Sequence, residues 1–519
     1  MVLGLFGVAT AALALYGLHL YVLVYLFRRR QRARRSEQRE VIAAFASRPD
    51  EHWPVVTSQI PIYNERQVAA RVIEAVAAMR YPSGRHEIQV LDDSTDETRQ
   101  VIDGVAAHLR RAGHDVQVVR RASREGYKAG ALAHGLSRCR GEFVAVFDAD
   151  FVPPESFLTR AIPLLVKAPD LACLQGRWAH LNENESWLTK AQALGIDGHF
   201  AIEQGARAWN GLLMNFNGTA GVWRKAAIND PAVGGWNGDT LTEDLDLSYR
   251  VQLAGWRIDY CLDLPCPAEL PGTVGGLKSQ QRRWATGSIQ VACKLLPRIW
   301  SRASGLSLSQ KLEATLHLTH YSVALWMLVL AVVARPMLLM MATNDPALGQ
   351  WLWIVWIGIL FSAVAPSITY GYARYSLGGG FTGIRTIPAM LVVGMGLCVN
   401  NALAVIRGLY LKGGEFVRTP KSGSLGVHKK QQSSYRPLQD NLWLIEMLLA
   451  VYSMSSFVYY VTHLRWAFSI FLLLYAVGFG VIGWHSRPAA LRGRAASAPS
   501  EPICEDVCSE HAEPVATAG

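Results

Sequence analysis

Several side chains of this 519-residue chain are of the types that do chemistry, and they stand in short runs close behind apolar segments. Asp148-Ala149-Asp150 follows a hydrophobic run at 143–147. An alternating carboxylate pair at a strand end presents oxygens to a hard divalent cation and leaves coordination positions for substrate phosphates. The D-x-D spacing alone is common; the apolar run in front of it is what favours the metal. Lys128, within Gly126-Tyr127-Lys128-Ala129-Gly130, is placed to meet a phosphate, although a loop lysine is more often merely solvated. Glu243-Asp244 could supply a general base for a hydroxyl, or cap a helix. In Gln280-Gln281-Arg282-Arg283-Trp284 an arginine can neutralise a leaving pyrophosphate. Trp284 offers a flat face to a sugar ring, or an anchor at a membrane interface.

The elements that must position these groups alternate in type. Runs at 55–60, 88–91, 116–119 and 143–147 predict strands, with helices over 66–80, 97–111 and 129–138 between them. That alternation is the signature of βαβ units and a parallel sheet, which binds ligands beyond the carboxyl ends of its strands. Asn64 and Glu65, Asp92 and Asp93, and Asp148 and Asp150 all fall at such ends. Asp92-Asp93-Ser94-Thr95 alone could be a helix cap; three polar groups at one rim point to a site.

Composition sets the surroundings. Half of the residues are hydrophobic and 18% are charged, which excludes disorder as the main state and a small disulfide-stapled scaffold. Residues 2–27 carry no charge and are long enough to span about 30 Å of hydrocarbon. Arg28, Arg29, Arg30, Arg32, Arg34 and Arg35 follow directly. Basic residues after the apolar run, not before it, predict a retained anchor with a cytosolic flank. The net charge of +10 therefore faces anionic lipid, and no nucleic-acid partner is expected. The eight cysteines lack metal-type spacing and are expected to be inert thiols.

Further crossings are expected at 315–342, 350–372, 441–461 and 466–484, giving five in all. Asn400, Asn401 and Arg407 are costly in lipid, so 387–410 is expected to be interfacial or re-entrant. The basic segment 411–440 is expected in the cytosol and the tail 485–519 to be disordered. The expected domains are thus a transmembrane helix 1–27, a basic linker 28–42, a catalytic domain 43–300 and a membrane region 301–484 ahead of the tail.

The ordered motifs resemble the family-2 inverting glycosyltransferases, in particular membrane-embedded processive β-glycan synthases. The likeness runs from about residue 55 to 300, with a weaker echo to about 425, and looks closest to the plant cellulose-synthase-like A mannan and glucomannan synthases. It rests on Gln59-Ile60-Pro61-Ile62-Tyr63-Asn64-Glu65, Leu91-Asp92-Asp93-Ser94-Thr95-Asp96, Tyr127-Lys128-Ala129-Gly130-Ala131-Leu132, Phe147-Asp148-Ala149-Asp150-Phe151 and Phe216-Asn217-Gly218-Thr219-Ala220-Gly221-Val222-Trp223-Arg224. The resemblance implies an α/β fold of the GT-A, Rossmann-like type, inserted as a cytosolic domain between transmembrane helices. It implies a hexosyltransferase that uses GDP-mannose or UDP-glucose to extend a β-linked polysaccharide; the alternative is a non-processive enzyme that glycosylates a membrane lipid.

By the same resemblance, Asp92 and Asp93 would bind base and ribose, and Lys128 the donor phosphates. Asp148 and Asp150 would hold the sugar nucleotide, Asp150 chiefly through Mg2+ or Mn2+. Asp244 would be the catalytic base. Glu243, Gln280, Gln281, Arg283 and Trp284 would bind the acceptor end and the diphosphate. Phe416, Arg418, Thr419, Pro420 and Lys421 resemble a cytosolic gating segment. Implied partners are the nucleotide-sugar donor, a polysaccharide or lipid acceptor and the bilayer. Five crossings are few for a pore, so a pore would call for a homo-oligomer. Ala- and Arg-rich composition and short termini favour a bacterial plasma membrane over a Golgi membrane.

Overall fold

The structure is a computed structural model that describes residues 1–341, 346–411, 413–414, 441–463 and 466–488. Its centre is a seven-stranded sheet: β1 Val56–Ile62, β2 His86–Asp92, β3 Asp115–Val119, β4 Phe143–Val146, β5 Leu171–His180, β6 Gly221–Arg224 and β7 Arg257–Ala268. The spatial order is β3-β2-β1-β4-β6-β5-β7. The first four strands pair in parallel, as their separation by helices requires. β6 runs antiparallel to both β4 and β5, and β5 is parallel to β7, so the sheet is mixed.

Both faces are covered, which is why the central strands are continuously apolar. Phe143, Ala145 and Phe147 join one core with Val56, Ile60 and the helix residues Val68, Val72 and Val76. Val144 and Val146 enter the opposite core with Leu91, Leu132 and Trp223. This alternation is the two-residue period of a strand, and it fixes the direction in which the residues after β4 point.

The first helix runs without interruption over Val2–Ala46. The stretch 28–42, expected as a linker, is therefore the second half of the same helix. The correction has a simple cause: from residue 18 to 48 the chain contains no Gly or Pro, and its charged residues change polarity without lowering helix propensity. At 45 residues the helix measures roughly 68 Å, far more than a bilayer core. Its basic half docks on β7. Arg34 Nη2 lies 2.6 Å from Asp259 Oδ2, Arg35 Nη2 2.6 Å from Asp263 Oδ1 and Arg39 Nη2 2.9 Å from Asp263 Oδ2. Gln38 Nε2 donates to the Tyr260 carbonyl at 2.9 Å.

Among the described residues four helices are long and apolar enough to cross a membrane, or up to six if each of two bent pairs is one span. The four are Val2–Ala46, Trp353–Ser376, Leu442–Thr462 and Ser469–Ser486. The crossing expected at 315–342 falls on a bent pair of helices, Leu308–Thr319 and Ser322–Met337, at 62° to each other. Residues 387–410 lie within a second pair, Gly383–Gly396 and Cys398–Tyr410, bent by 47°. Asn400 is buried there, accepting from Arg282 Nη2 at 2.9 Å and donating to the Lys278 carbonyl at 3.1 Å.

Candidate active site

A cleft of about 160 Å3 opens beyond the carboxyl ends of β1, β2 and β4. Three non-glycine residues in the left-handed region lie at or beside it: Asn64 (φ 51°), Tyr127 (φ 48°) and Ala220 (φ 54°). Such backbone is strained and is kept only where its surroundings hold it. At Asn64 the holding is visible. Its amide donates to Ser94 Oγ at 2.9 Å, and its Oδ1 accepts from the Thr95 amide at 2.7 Å, tying the end of β1 to the end of β2.

Asp93 lines the cleft and is gripped by Arg121 through two bonds, Nε to Oδ1 at 2.8 Å and Nη2 to Oδ2 at 2.6 Å. Arg121 also donates to the carbonyls of Glu125 at 2.5 Å and Tyr127 at 2.6 Å. One guanidinium therefore shapes the loop that carries Lys128. Asp92 turns the other way. It is 1% exposed, accepts from the Ser94 amide at 2.9 Å and from Arg120 Nε at 2.7 Å, and is absent from the cleft wall. Successive strand residues point to opposite faces, so only one of two adjacent aspartates can reach the site.

Lys128 Nζ sits 2.5 Å from Asp148 Oδ1 and donates to the Gly218 carbonyl at 2.9 Å. Asp148 is fixed in turn by its amide, which donates to Thr219 Oγ1 at 2.8 Å. Asp150, Glu243, Asp244, Gln280, Arg283 and Trp284 line the same cleft. The last three share one face of the helix Val274–Trp300 at spacings of three and four; Gln281 lies off that face and outside the cleft wall. Arg282, between them, is bound to Asn400. Phe416, Arg418, Thr419 and Lys421 lie outside the described residues. Gln290 Nε2 donates to the carbonyls of Leu411 and Gly413 at 2.9 and 2.7 Å, which brings the start of that segment beside the loop entering the cleft at Leu241.

Burial and like charge set the proton affinities. The Asp244 carboxyl is pushed up to about 7, first by burial and then by Glu243 beside it, against the pull of Lys128. Burial also raises Glu243 and Asp148, with Lys128 opposing in both cases. For Lys128 burial alone would lower the value, but Asp148, Glu243 and Asp244 outweigh it and hold the ammonium above its usual range. The result is a partly dehydrated cluster of carboxylates around one lysine, poised for cations. Among the described residues no group of three or more His, Cys, Asp or Glu side chains is arranged to hold a metal by itself. Asp148 and Asp150, both in the cleft wall, are oxygen donors of the kind that could hold a divalent ion together with a diphosphate.

Other cleft residues carried no role in the sequence. Arg124 lies 3.4 Å above the Tyr63 ring. Trp178 stands 6.3 Å from Trp284 and stacks on Phe200 at 4.8 Å. His180 Nε2 lies 3.0 Å from Asp197 Oδ1, and Asp197 Oδ2 lies 2.9 Å from Arg374 Nη1. Asn217 and Thr242 complete the wall. Trp178 and His180 stand at the end of β5, Thr242 stands beside Glu243, and Asn217 lies within the motif 216–224, which gave it no role of its own.

The family described as "Glycosyltransferase like family 2" matches residues 54–287. Glucomannan 4-beta-mannosyltransferase 2 of Arabidopsis thaliana is 42% identical over 252 residues, 48% of this chain and 47% of the relative. Glucomannan 4-beta-mannosyltransferase 7 of the same plant is 32% identical over 439 residues, 83% of this chain and 76% of the relative. Probable glucomannan 4-beta-mannosyltransferase 9 of Oryza sativa subsp. japonica is 40% identical over 289 residues, 53% of this chain and 54% of the relative. The chain thus spans about half the length of two of these relatives and three quarters of the third.

A solved structure, a mannosyltransferase from Pyrobaculum calidifontis in complex with GDP-Man and Mn2+, superposes with a TM-score of 0.50 at 18% identity. It covers 78% of this chain and 99% of its own, a likeness of fold, and the fold is GT-A. The preference for a bacterial plasma membrane over a Golgi membrane is overturned, because the relatives matched are plant proteins. By these alignments the chain belongs to the family 2 glycosyltransferases, in the cellulose synthase-like A group of glucomannan 4-beta-mannosyltransferases.

Proposed function

We propose that this protein is a membrane-embedded inverting hexosyltransferase that moves mannose from GDP-mannose onto a growing β-linked mannan or glucomannan. One observation carries the proposal: a buried carboxyl raised to about 7, Asp244, shares a single cleft with Lys128, Asp148, Asp150, Arg283 and Trp284. The names of the relatives support the acceptor and the linkage, and the GDP-Man and Mn2+ in the neighbouring structure support the donor and the ion.

Each side chain has a task that follows from its chemistry. Asp150 and Asp148 would hold Mg2+ or Mn2+, whose charge offsets that of the leaving diphosphate. Lys128 and Arg283 face the same diphosphate and oppose its growing negative charge as the sugar–oxygen bond breaks. Asp93, fixed by Arg121, meets the nucleoside. Trp284 offers its ring to the acceptor sugar, with Glu243 and Gln280 within reach of its hydroxyls. Asp244 takes the proton of the attacking hydroxyl, which approaches the anomeric carbon opposite the leaving group. A single in-line displacement converts an α-linked donor into a β-linked product, and no bond to the enzyme forms.

The test is fractionation of product. Full-length protein in nanodiscs receives labelled GDP-mannose with Mg2+ or Mn2+, and product is divided into lipid-extractable and polymeric fractions. Label in polymer supports the proposal; label confined to the lipid extract sinks it in favour of a glycolipid.

A further inference from the structure

The helix Val274–Trp300 carries more than the cleft residues Gln280, Arg283 and Trp284. Gly287, Gln290 and Lys294 continue the same face at spacings of three and four. Each of them meets the stretch of chain around Glu243 and Asp244. A methyl group on Gly287 would stand 2.9 Å from the Thr242 amide nitrogen, so helix and loop are in direct contact. Gln290 Oε1 accepts from the Leu241 amide at 2.9 Å. Lys294 Nζ lies 2.9 Å from both carboxylate oxygens of Asp239 and 2.8 Å from Asp246 Oδ1, which brackets the base on either side in sequence.

Both ends of Gln290 are engaged. The residue is 6% exposed, and its Nε2 donates to the carbonyls of Leu411 and Gly413 at 2.9 and 2.7 Å, just beyond the helix Cys398–Tyr410. A buried amide bound in this way has one orientation, because exchanging its oxygen and nitrogen would turn a donor toward the Leu241 amide and leave two carbonyls facing an acceptor. Leu241 and Thr242 line the cleft together with Glu243 and Asp244. Upstream, a methyl group on Gly238 would stand 3.0 Å from Gly126 Cα, at the start of the helix Tyr127–Leu136 that carries Lys128. The stretch 238–244 thus reaches from the loop of the lysine to the base, and Gln290 grips it midway.

We propose that Gln290 is a positioning residue for transfer: by holding the Leu241 amide it fixes Asp244 relative to Arg283 and Trp284 on its own helix. The proposal rests on the glycosyltransferase reading above. Base, diphosphate-facing arginine and acceptor-facing tryptophan then move as one unit. A misplacement of about 1 Å between reacting groups is enough to cost on the order of 100-fold in rate, so a single amide far from the substrate can matter. The carbonyls of Leu411 and Gly413 keep Gln290 in the orientation that the Leu241 amide needs.

The experiment uses the full-length protein in nanodiscs with a divalent ion, GDP-mannose and a soluble manno-oligosaccharide acceptor. Gln290→Met keeps the length of the side chain and removes its hydrogen bonds. It is expected to lower kcat about 10- to 100-fold, with donor and acceptor KM each changed less than about threefold. Calorimetry with GDP-mannose should still show the wild-type binding stoichiometry, which a loss of folded protein would lower in step with kcat. Gln290→Asn, too short to reach both sides, gives the same result if the methionine variant does not fold. An unchanged kcat, a loss carried by either KM, or a stoichiometry that falls with kcat in both variants overturns the proposal. Absence of any hexose transfer by the wild-type protein overturns the functional reading itself, an outcome distinguishable from all of these.

Discussion

In the proposed mechanism Asp244 bears the largest share of the chemistry, and its surroundings make it measurable. Its carboxyl is raised to about 7 by burial and by Glu243, and only the ionised form can take a proton. The kcat/KM for transfer should therefore rise with pH up to about 7 and fall about tenfold per pH unit below it. Asp244→Asn should remove that limb together with at least about 100-fold of the rate, while GDP-mannose still binds. Lys128 stands among three carboxylates, and Lys128→Met should weaken donor binding by about ten- to a hundredfold, read as donor KM or by calorimetry. Much of this cluster was legible in the sequence, because each member stands directly after an apolar strand or at a helix start. Asp92 and Gln281 were not separable from their neighbours, since a one-residue step on a strand or helix turns a side chain away from the site. Asn217 stood within the motif 216–224 but no role of its own followed from it, and His180 carried no signal: their places depend on contacts with residues far along the chain.

Elements place these residues through a few tight approaches. Gly218 has φ 81°, and a methyl group there would meet Asp244 Oδ2 at 2.9 Å. Gly218→Ala should cost about 1–3 kcal/mol in strain and reduce transfer sharply, because the carboxylate must move. Gly84 is a control of similar backbone, φ 72°, with open space around it. Gly84→Ala should lower the thermal midpoint and leave transfer unchanged; equal activity losses in both would contradict the view that Gly218 is there for Asp244. The first four strands could be read from β-branched runs buried on both faces. β6 has four residues and β7 carries Pro265 and Pro267, so neither announces itself by composition. The bend near residue 320 was hidden for another reason: helices on either side are apolar enough to look like one span.

At the scale of the whole molecule, the first helix ties the catalytic domain to the apolar bundle. Asp263, 20% exposed, pairs with both Arg35 and Arg39, and the two guanidiniums hold its carboxyl below the usual range against the effect of burial. Asp263→Asn should destabilise the folded protein by about 1 kcal/mol, seen as a lower thermal midpoint with transfer kinetics retained. The helix Pro346–Ser376 packs on the first helix where a methyl group on Gly17 would meet the Ser362 backbone at 2.7 Å, an approach of the kind small residues permit in membranes. The central claim, that one buried carboxylate and its cationic neighbours move mannose from GDP-mannose into a β-linked polymer, has a direct measurement. Wild-type protein and Asp244→Asn in nanodiscs are given GDP-mannose with a divalent ion, and the polymer is analysed by NMR for anomeric configuration. The predicted result is β-linked mannose from the wild type and none from the variant. Undiminished polymer from Asp244→Asn, or an α-linked product, would contradict the account.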